Sequence, residues 1–186
     1  SSATRAPIPA PTRIEPGLRE PFIAVFLFAF VRRGLNAGIG TAIVAVSERE
    51  DPRDVIFIRE ADRFEDLRQN AKIATGSLRR RAQLRAARPD LEMTALRGNL
   101  NTRWRKFEEG QFDAMILAAA GVIRLGWKDR VTQFLPLDLL LPAVGQDIVG
   151  IQAMKGSEAA ELASAIDHVP THARARAERS LLEAVA

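Results

Sequence analysis

Three arginines open a helix in the stretch Thr75-Gly76-Ser77-Leu78-Arg79-Arg80-Arg81. A β-prone run, KIAT (72–75), ends there, a small turn follows, and Ser77 stands where a helix N-cap belongs. Free N–H groups at a helix start attract anions. Cations in that first turn oppose the helix dipole, by about 0.3–1 kcal/mol each when exposed. A bound polyanion would remove the conflict, and a solvated basic turn would tolerate it; the pattern alone leaves both open. The theme recurs downstream. Arg97-Gly98-Asn99 follows the β-prone run LEMTAL, with Arg103 further on, and Arg124 follows DAMILA and the turn Ala119-Ala120-Gly121. If these strands are parallel, Arg79, Arg80, Arg97, Arg103 and Arg124 converge on one cleft suited to a ligand with several carboxylates.

The elements that would position these residues can be read along the chain. Strand-like runs lie at 41–46, 55–58, 72–75, 91–96, 113–118 and 150–154, and 137–143 reads as extended up to Pro142. Ser47 to Asp54 is a charged loop. Asp62 can cap a short helix through Leu67, and the helix from Ser77 ends at Pro89. Further helices are expected at 102–109, at 119–125 before Gly126, and at 157–167 and 171–185, on either side of Pro170. Strands alternating with helices favour an α/β fold with a mostly parallel sheet. Residues 1–20 carry four prolines and read as a tail. The apolar run Phe22 to Val31 is ten residues long, short of the roughly 20 needed to span a membrane, and reads as a buried strand or helix fragment.

Composition narrows the chemistry. The 186 residues contain no cysteine, so a disulfide, a thiolate metal site and a cysteine nucleophile are excluded. His168 and His172 lack a convincing third ligand, so no metal is assigned. The 27 basic residues include only four lysines, and the net charge is +4. An arginine-rich balance points to a carboxylate or phosphate partner. Nucleic acid is disfavoured because the arginines sit at strand ends without interleaved aromatics.

Residues 75–126 together with LPAVGQ (141–146) resemble the central region of the porphobilinogen deaminase family. The SLRR turn, LRGN-x-x-TR, DA-x-ILA-x-AG and PAVGQ occur in family order and spacing, EREDPRD (48–54) also fits, and the likeness covers about 41–186. It implies an α/β, periplasmic-binding-protein-like (type II) fold with a parallel or mixed sheet, an incomplete first domain and no third domain. It implies the division 1–40 unlike the family, 41–52 with 143–186 as remnant of the first domain and connecting helices, and 53–142 as the second domain. The family joins four porphobilinogen units into hydroxymethylbilane, releasing ammonia each time. The product grows on a dipyrromethane cofactor thioether-linked to a cysteine. By the resemblance, Ser77, Arg79, Arg80, Arg97, Arg103 and Arg124 bind carboxylates of cofactor or substrate, and Thr75 and Gln146 fall at matching binding positions. The partner implied is an anionic pyrrole, with no nucleic acid or membrane, for a cytoplasmic monomer.

The departures bear on activity. The family's H-S-x-K-D motif aligns without gaps to Phe28-Ala29-Phe30-Val31-Arg32, which lacks both its cofactor-contacting lysine and its catalytic aspartate. The attachment cysteine is absent, and the chain stops at Ala186, about where the cysteine-bearing domain would start. Gly76 replaces a usual serine, and Asp147 stands where PAVGQ is normally followed by glycine. No catalytic residue is assigned. The expectation is a deaminase homologue inactive as this chain alone; the rival is a non-catalytic anion-binding module that keeps the arginine cleft.

Overall fold

Alternation of apolar side chains splits the central strands cleanly between two faces. A computed structural model describes residues 24–28 and 40–185. In strand β3 (Asp54–Ile58), Val55 and Phe57 enter one core while Ile56 and Ile58 enter the other. Strand β6 (Ala114–Ala118) divides the same way, Met115 and Leu117 against Ala114 and Ile116. A strand whose two faces are both apolar needs cover on both. Helix α1 (Leu78–Ala87) supplies Leu84 to one face, and α2 (Leu100–Glu108) and α3 (Ala119–Arg124) cover the other through Phe107 and Val122.

With β4 (Lys72–Ala74), β5 (Glu92–Thr94) and β7 (Gln133–Phe134), these strands form a five-stranded sheet in the order β5-β4-β6-β3-β7. β4 runs parallel to both β5 and β6, whereas β3 is antiparallel to β6 and β7. The sheet is therefore mixed rather than mostly parallel. One consequence governs the site: the first residue of β3, Asp54, pairs with Ala118 at the carboxyl end of β6. An antiparallel strand thus starts where its parallel neighbours finish.

A second, antiparallel sheet has the order β1-β8-β2, from β1 (Ala24–Phe28), β8 (Ile148–Met154) and β2 (Thr41–Val46). Helix α4 (Glu158–Ser164) packs on β8 and β2, and α5 (Val169–Ala184) packs on β2. The chain crosses between the sheets at 47–53 and again between β7 and β8. The α/β class expected from the sequence is observed, with one mixed and one antiparallel sheet.

Several local expectations need correction. Asp62 caps nothing: a single 3-10 turn at Phe64–Asp66 follows Arg63, which makes no side-chain cap. Residues 137–140 turn instead of extending, because Leu139 N and Leu140 N both donate to Pro136 O. The strand of that region is the earlier Gln133–Phe134. Helix α2 starts before 102, since Asn99 accepts from Thr102 N as its cap. Pro170 lies inside the first turn of α5, where its missing N–H costs nothing, and does not separate two helices. The apolar run contributes a strand at Ala24–Phe28 that pairs with β8. The tail at 1–20, the rest of that run and Ala29 to Arg32 lie outside the described residues.

Candidate functional site: an arginine cluster built on a buried carboxylate

β4 ends at Ala74, and Thr75 beyond it is fully buried, its N–H bonded to Thr94 O at 3.0 Å. Thr75 Oγ1 accepts from Ser77 N at 3.3 Å, and Ser77 Oγ accepts from Arg80 N at 3.4 Å. The turn therefore spends its hydroxyls on its own backbone and fixes the start of α1. Gly76 is required by close approach: a Cβ there would lie 2.7 Å from Leu96 O.

That start aims Arg79 and Arg80 at Asp54, which is completely buried. Arg79 Nη2 donates to Asp54 Oδ2 at 2.7 Å, and Arg80 Nη2 donates to Asp54 Oδ1 at 2.6 Å. Gln146 Nε2 donates to the same Oδ1 at 3.0 Å and to Pro52 O at 2.7 Å, while its Oε1 accepts from Arg79 at 3.2 Å. Arg79 also donates to Leu141 O, and Arg80 Nη1 donates to Ile116 O at 3.3 Å. The helix-dipole conflict read from the sequence thus has an internal answer. Asp54 brings a carboxylate to the first turn of α1, so neither a ligand nor bulk water is needed to account for two of the three arginines.

The other arginines approach from neighbouring connections. Arg103 on α2 donates from Nε to Gly98 O at 2.7 Å. Burial, and next the charge of Arg80, hold its guanidinium below the ordinary range, so these two cations lie close together. Arg124 ends α3 and Arg49 leads into β3; their charges, with that of Arg80, reach the Asp147 carboxyl. Arg49 also donates to Gln146 O at 3.0 Å and to Glu178 Oε1 at 2.6 Å on α5. Burial, reinforced by Asp54, pushes Asp147 up to about 6, against the pull of Arg124, Arg49 and Arg80.

The structure therefore brings Thr75, Ser77, Arg79, Arg80, Arg103, Arg124 and Gln146 to one region, and leaves Arg97 exposed at the turn before Gly98. Two buried atoms lack a hydrogen-bond partner among the described residues, Arg80 Nε and Asp147 Oδ2. Such groups are uncommon in folded proteins. Nε of Arg80 is an uncommitted donor, and the cluster as a whole offers guanidinium N–H groups of the kind that pair with carboxylates. Sequence reasoning missed Asp54 and Arg49 as site residues. The available signal was an aspartate heading the apolar run DVIFI, but only the antiparallel course of β3 puts it among strand ends. The two histidines have separate partners: His168 Nδ1 meets Thr171 Oγ1 at 2.8 Å, and His172 Nδ1 meets Asp167 at 2.9 Å.

Residues 35–162 match the family model described as porphobilinogen deaminase, dipyromethane cofactor binding domain, beginning ahead of Thr41. A porphobilinogen deaminase of Chlorobium phaeobacteroides is 51% identical over 144 residues, 77% of this chain and 46% of that protein. Another, from Desulforudis audaxviator, is 47% identical over 165 residues, 88% of this chain and 53% of that protein. The chain thus spans about half the length of the curated relatives it matches. Among solved structures, a periplasmic substrate-binding protein of an ABC transporter from Coxiella burnetii aligns with a TM-score of 0.46 at 11% identity, covering 73% of this chain and 65% of that one.

Proposed function

This chain belongs to the porphobilinogen deaminase family, and from that premise we propose that its arginine cluster holds the carboxylates of the dipyrromethane cofactor and of porphobilinogen during assembly of hydroxymethylbilane. The observation that carries the reading is the unpartnered, buried Nε of Arg80 within a cluster of arginines from separate connections. Arg80, Arg103 and Arg124 would take carboxylate oxygens directly, Arg97 would reach in from its exposed turn, and Thr75 and Ser77 would hold the turn in shape. Asp54 and Gln146 would position Arg79 and Arg80. When bound, the cofactor supplies the pyrrole on which the product grows. Guanidinium donors suit this task because they stay charged at every working pH and match a carboxylate with paired N–H bonds.

We further propose that these 186 residues alone do not turn over porphobilinogen. The family's thioether needs a cysteine, and the sequence has none. The positive charge that develops as ammonia leaves needs a nearby carboxylate, and Arg32 stands at the aligned position of the family's aspartate. Binding that does not favour the transition state gives no rate. The sheet boundaries support dividing the chain into a unit at 53–142 and a second at 41–52 with 143–186, to which Ala24–Phe28 adds an edge strand instead of standing apart with the rest of 1–40. A cytoplasmic monomer accompanies the family reading.

The test is titration of the protein with porphobilinogen, read by amide NMR shifts and by substrate consumption. Shifts concentrated at 75–81, 97–103, 119–124 and 145–147 without consumption are expected. Absence of shifts there would refute the binding role, and turnover above a no-protein control would refute the inactivity.

A further inference from the structure

Asp147 closes a tight turn at the mouth of β8. Gln146 N donates to Ala143 O at 2.9 Å, Ile148 N donates to Gly145 O at 3.2 Å, and Asp147 itself has φ +67°. That left-handed conformation favours glycine, and aspartate and asparagine tolerate it better than most other residues. The turn drives the carboxyl inward, where the residue is only 8% exposed and Oδ2 has no hydrogen-bond partner. Burying an ionised carboxylate with an unmatched oxygen is unfavourable unless cations surround it. The charges of Arg49 from the crossing into β3, Arg80 from α1 and Arg124 from α3 reach it without forming an ion pair, and Arg49 donates to the adjoining Gln146 O at 3.0 Å.

We propose that Asp147 is a built-in anion that competes with ligand carboxylates for the arginine site, so that the site takes a carboxylate ligand more tightly when Asp147 is neutral. The inference rests on the carboxylate-binding role proposed above and adds to it a residue that tunes affinity. An internal carboxylate lowers the net attraction that Arg80 and Arg124 offer an incoming one. The remaining charged groups frame the effect. Asp54 occupies Arg79 and Arg80 from one side, Glu178 of α5 occupies Arg49 and accepts from Gly145 N at 2.7 Å, and Arg103 of α2 adds positive charge beside Arg80. Neutralising Asp147 leaves all of these in place. Burial raises its pKa to about 6, whereas carboxylates of ordinary pKa, about 4, stay ionised well below that. A pH window between 7.5 and 5.5 therefore neutralises most of Asp147 and little of the ligand.

Calorimetric titration with porphobilinogen, a dicarboxylate, is run on the whole chain, on D147N and on R103A at both pH values. Asparagine keeps the shape and accepts the positive φ; D147G, which relieves it, repeats the measurement should D147N fail to fold. D147N is expected to bind about tenfold more tightly than wild type at pH 7.5, and wild type is expected to approach D147N at pH 5.5. Equal affinities of wild type and D147N at pH 7.5, with R103A weaker, would overturn the role of Asp147 and leave the arginine site standing. Absence of binding by every variant would overturn the carboxylate-binding role and this inference with it.

Discussion

Replacing Asp54 with asparagine tests whether the arginine cluster is held by the protein itself. The carboxylate accepts from Arg79 at 2.7 Å, from Arg80 at 2.6 Å and from Gln146 at 3.0 Å. Asparagine has one acceptor oxygen, so in either orientation its amide points N–H groups at a guanidinium. Breaking a buried ion pair from one side costs about 3–5 kcal/mol, because a charge is left uncompensated. Here the arginine side chains keep 22% and 11% of their exposure and regain some hydration. The lower figure, about 3 kcal/mol, is therefore the expected loss. For a chain of this length that corresponds to a fall in Tm of about 6–12 °C. Urea denaturation followed by the fluorescence of Trp104 and Trp127 gives the number, with m unchanged if only stability moves. D51N is the control, since its partner Arg53 is 42% exposed and such pairs contribute less than about 1 kcal/mol. A D54N protein within about 1 kcal/mol of wild type would refute the reasoning.

R97A should leave stability within about 0.5 kcal/mol, as an exposed substitution, while weakening porphobilinogen binding about tenfold, as measured by calorimetry. E178A should release both Arg49 and Gly145 N, lower stability by about 1.5–3 kcal/mol and speed hydrogen exchange at the Gly145 amide; unchanged exchange would argue against the anchor. Asp147 has a pKa raised above its unfolded value, so the folded state binds that proton more tightly and wild type loses stability as pH rises from about 4 to 6. D147N should therefore be more stable than wild type above pH 6, by about 1–2 kcal/mol after allowing for residual solvent screening, with the gap closing toward pH 4 in parallel urea titrations. Asp51, Asp90 and Asp113, whose pKa values are lowered, lose their contributions at lower pH in both proteins and cancel in the comparison.

The local grammar of the chain was readable wherever one signal acts alone. Ser77 and Asn99 cap helices because their oxygens reach N–H groups two or three residues on. DAMILA forms a buried strand because its residues suit apolar cover on both faces. What could not be read was direction. An apolar run such as DVIFI carries no mark of whether it runs parallel or antiparallel, since both place alternate side chains on opposite faces. The antiparallel course of β3 is set by the chain's crossing from the other sheet, a non-local fact, and it determines that Asp54 meets the arginines. Arg49 was hidden for the same reason: its partners Gln146 and Glu178 lie far away in sequence. Residues 137–143 misled because leucines between prolines look extended, whereas the backbone satisfies itself through Pro136 O.

The charge balance of the cluster bears on the carboxylate-binding role proposed above. Arg49, Arg79, Arg80, Arg103 and Arg124 bring five positive charges, and Asp54, Asp147 and Glu178 oppose them with three. Two positive charges remain, an excess that favours an anionic ligand. Without Asp54 the guanidiniums would repel one another and spread into solvent, and a ligand would have to gather them at an entropic cost of about 0.5–1.5 kcal/mol per immobilised side chain. With Asp54 in place, Arg79 and Arg80 are already ordered. Arg80 shows the division of labour within one side chain: Nη2 is committed to Asp54, while Nε stays without a partner. The same cation is therefore fixed by the fold and keeps one N–H donor uncommitted.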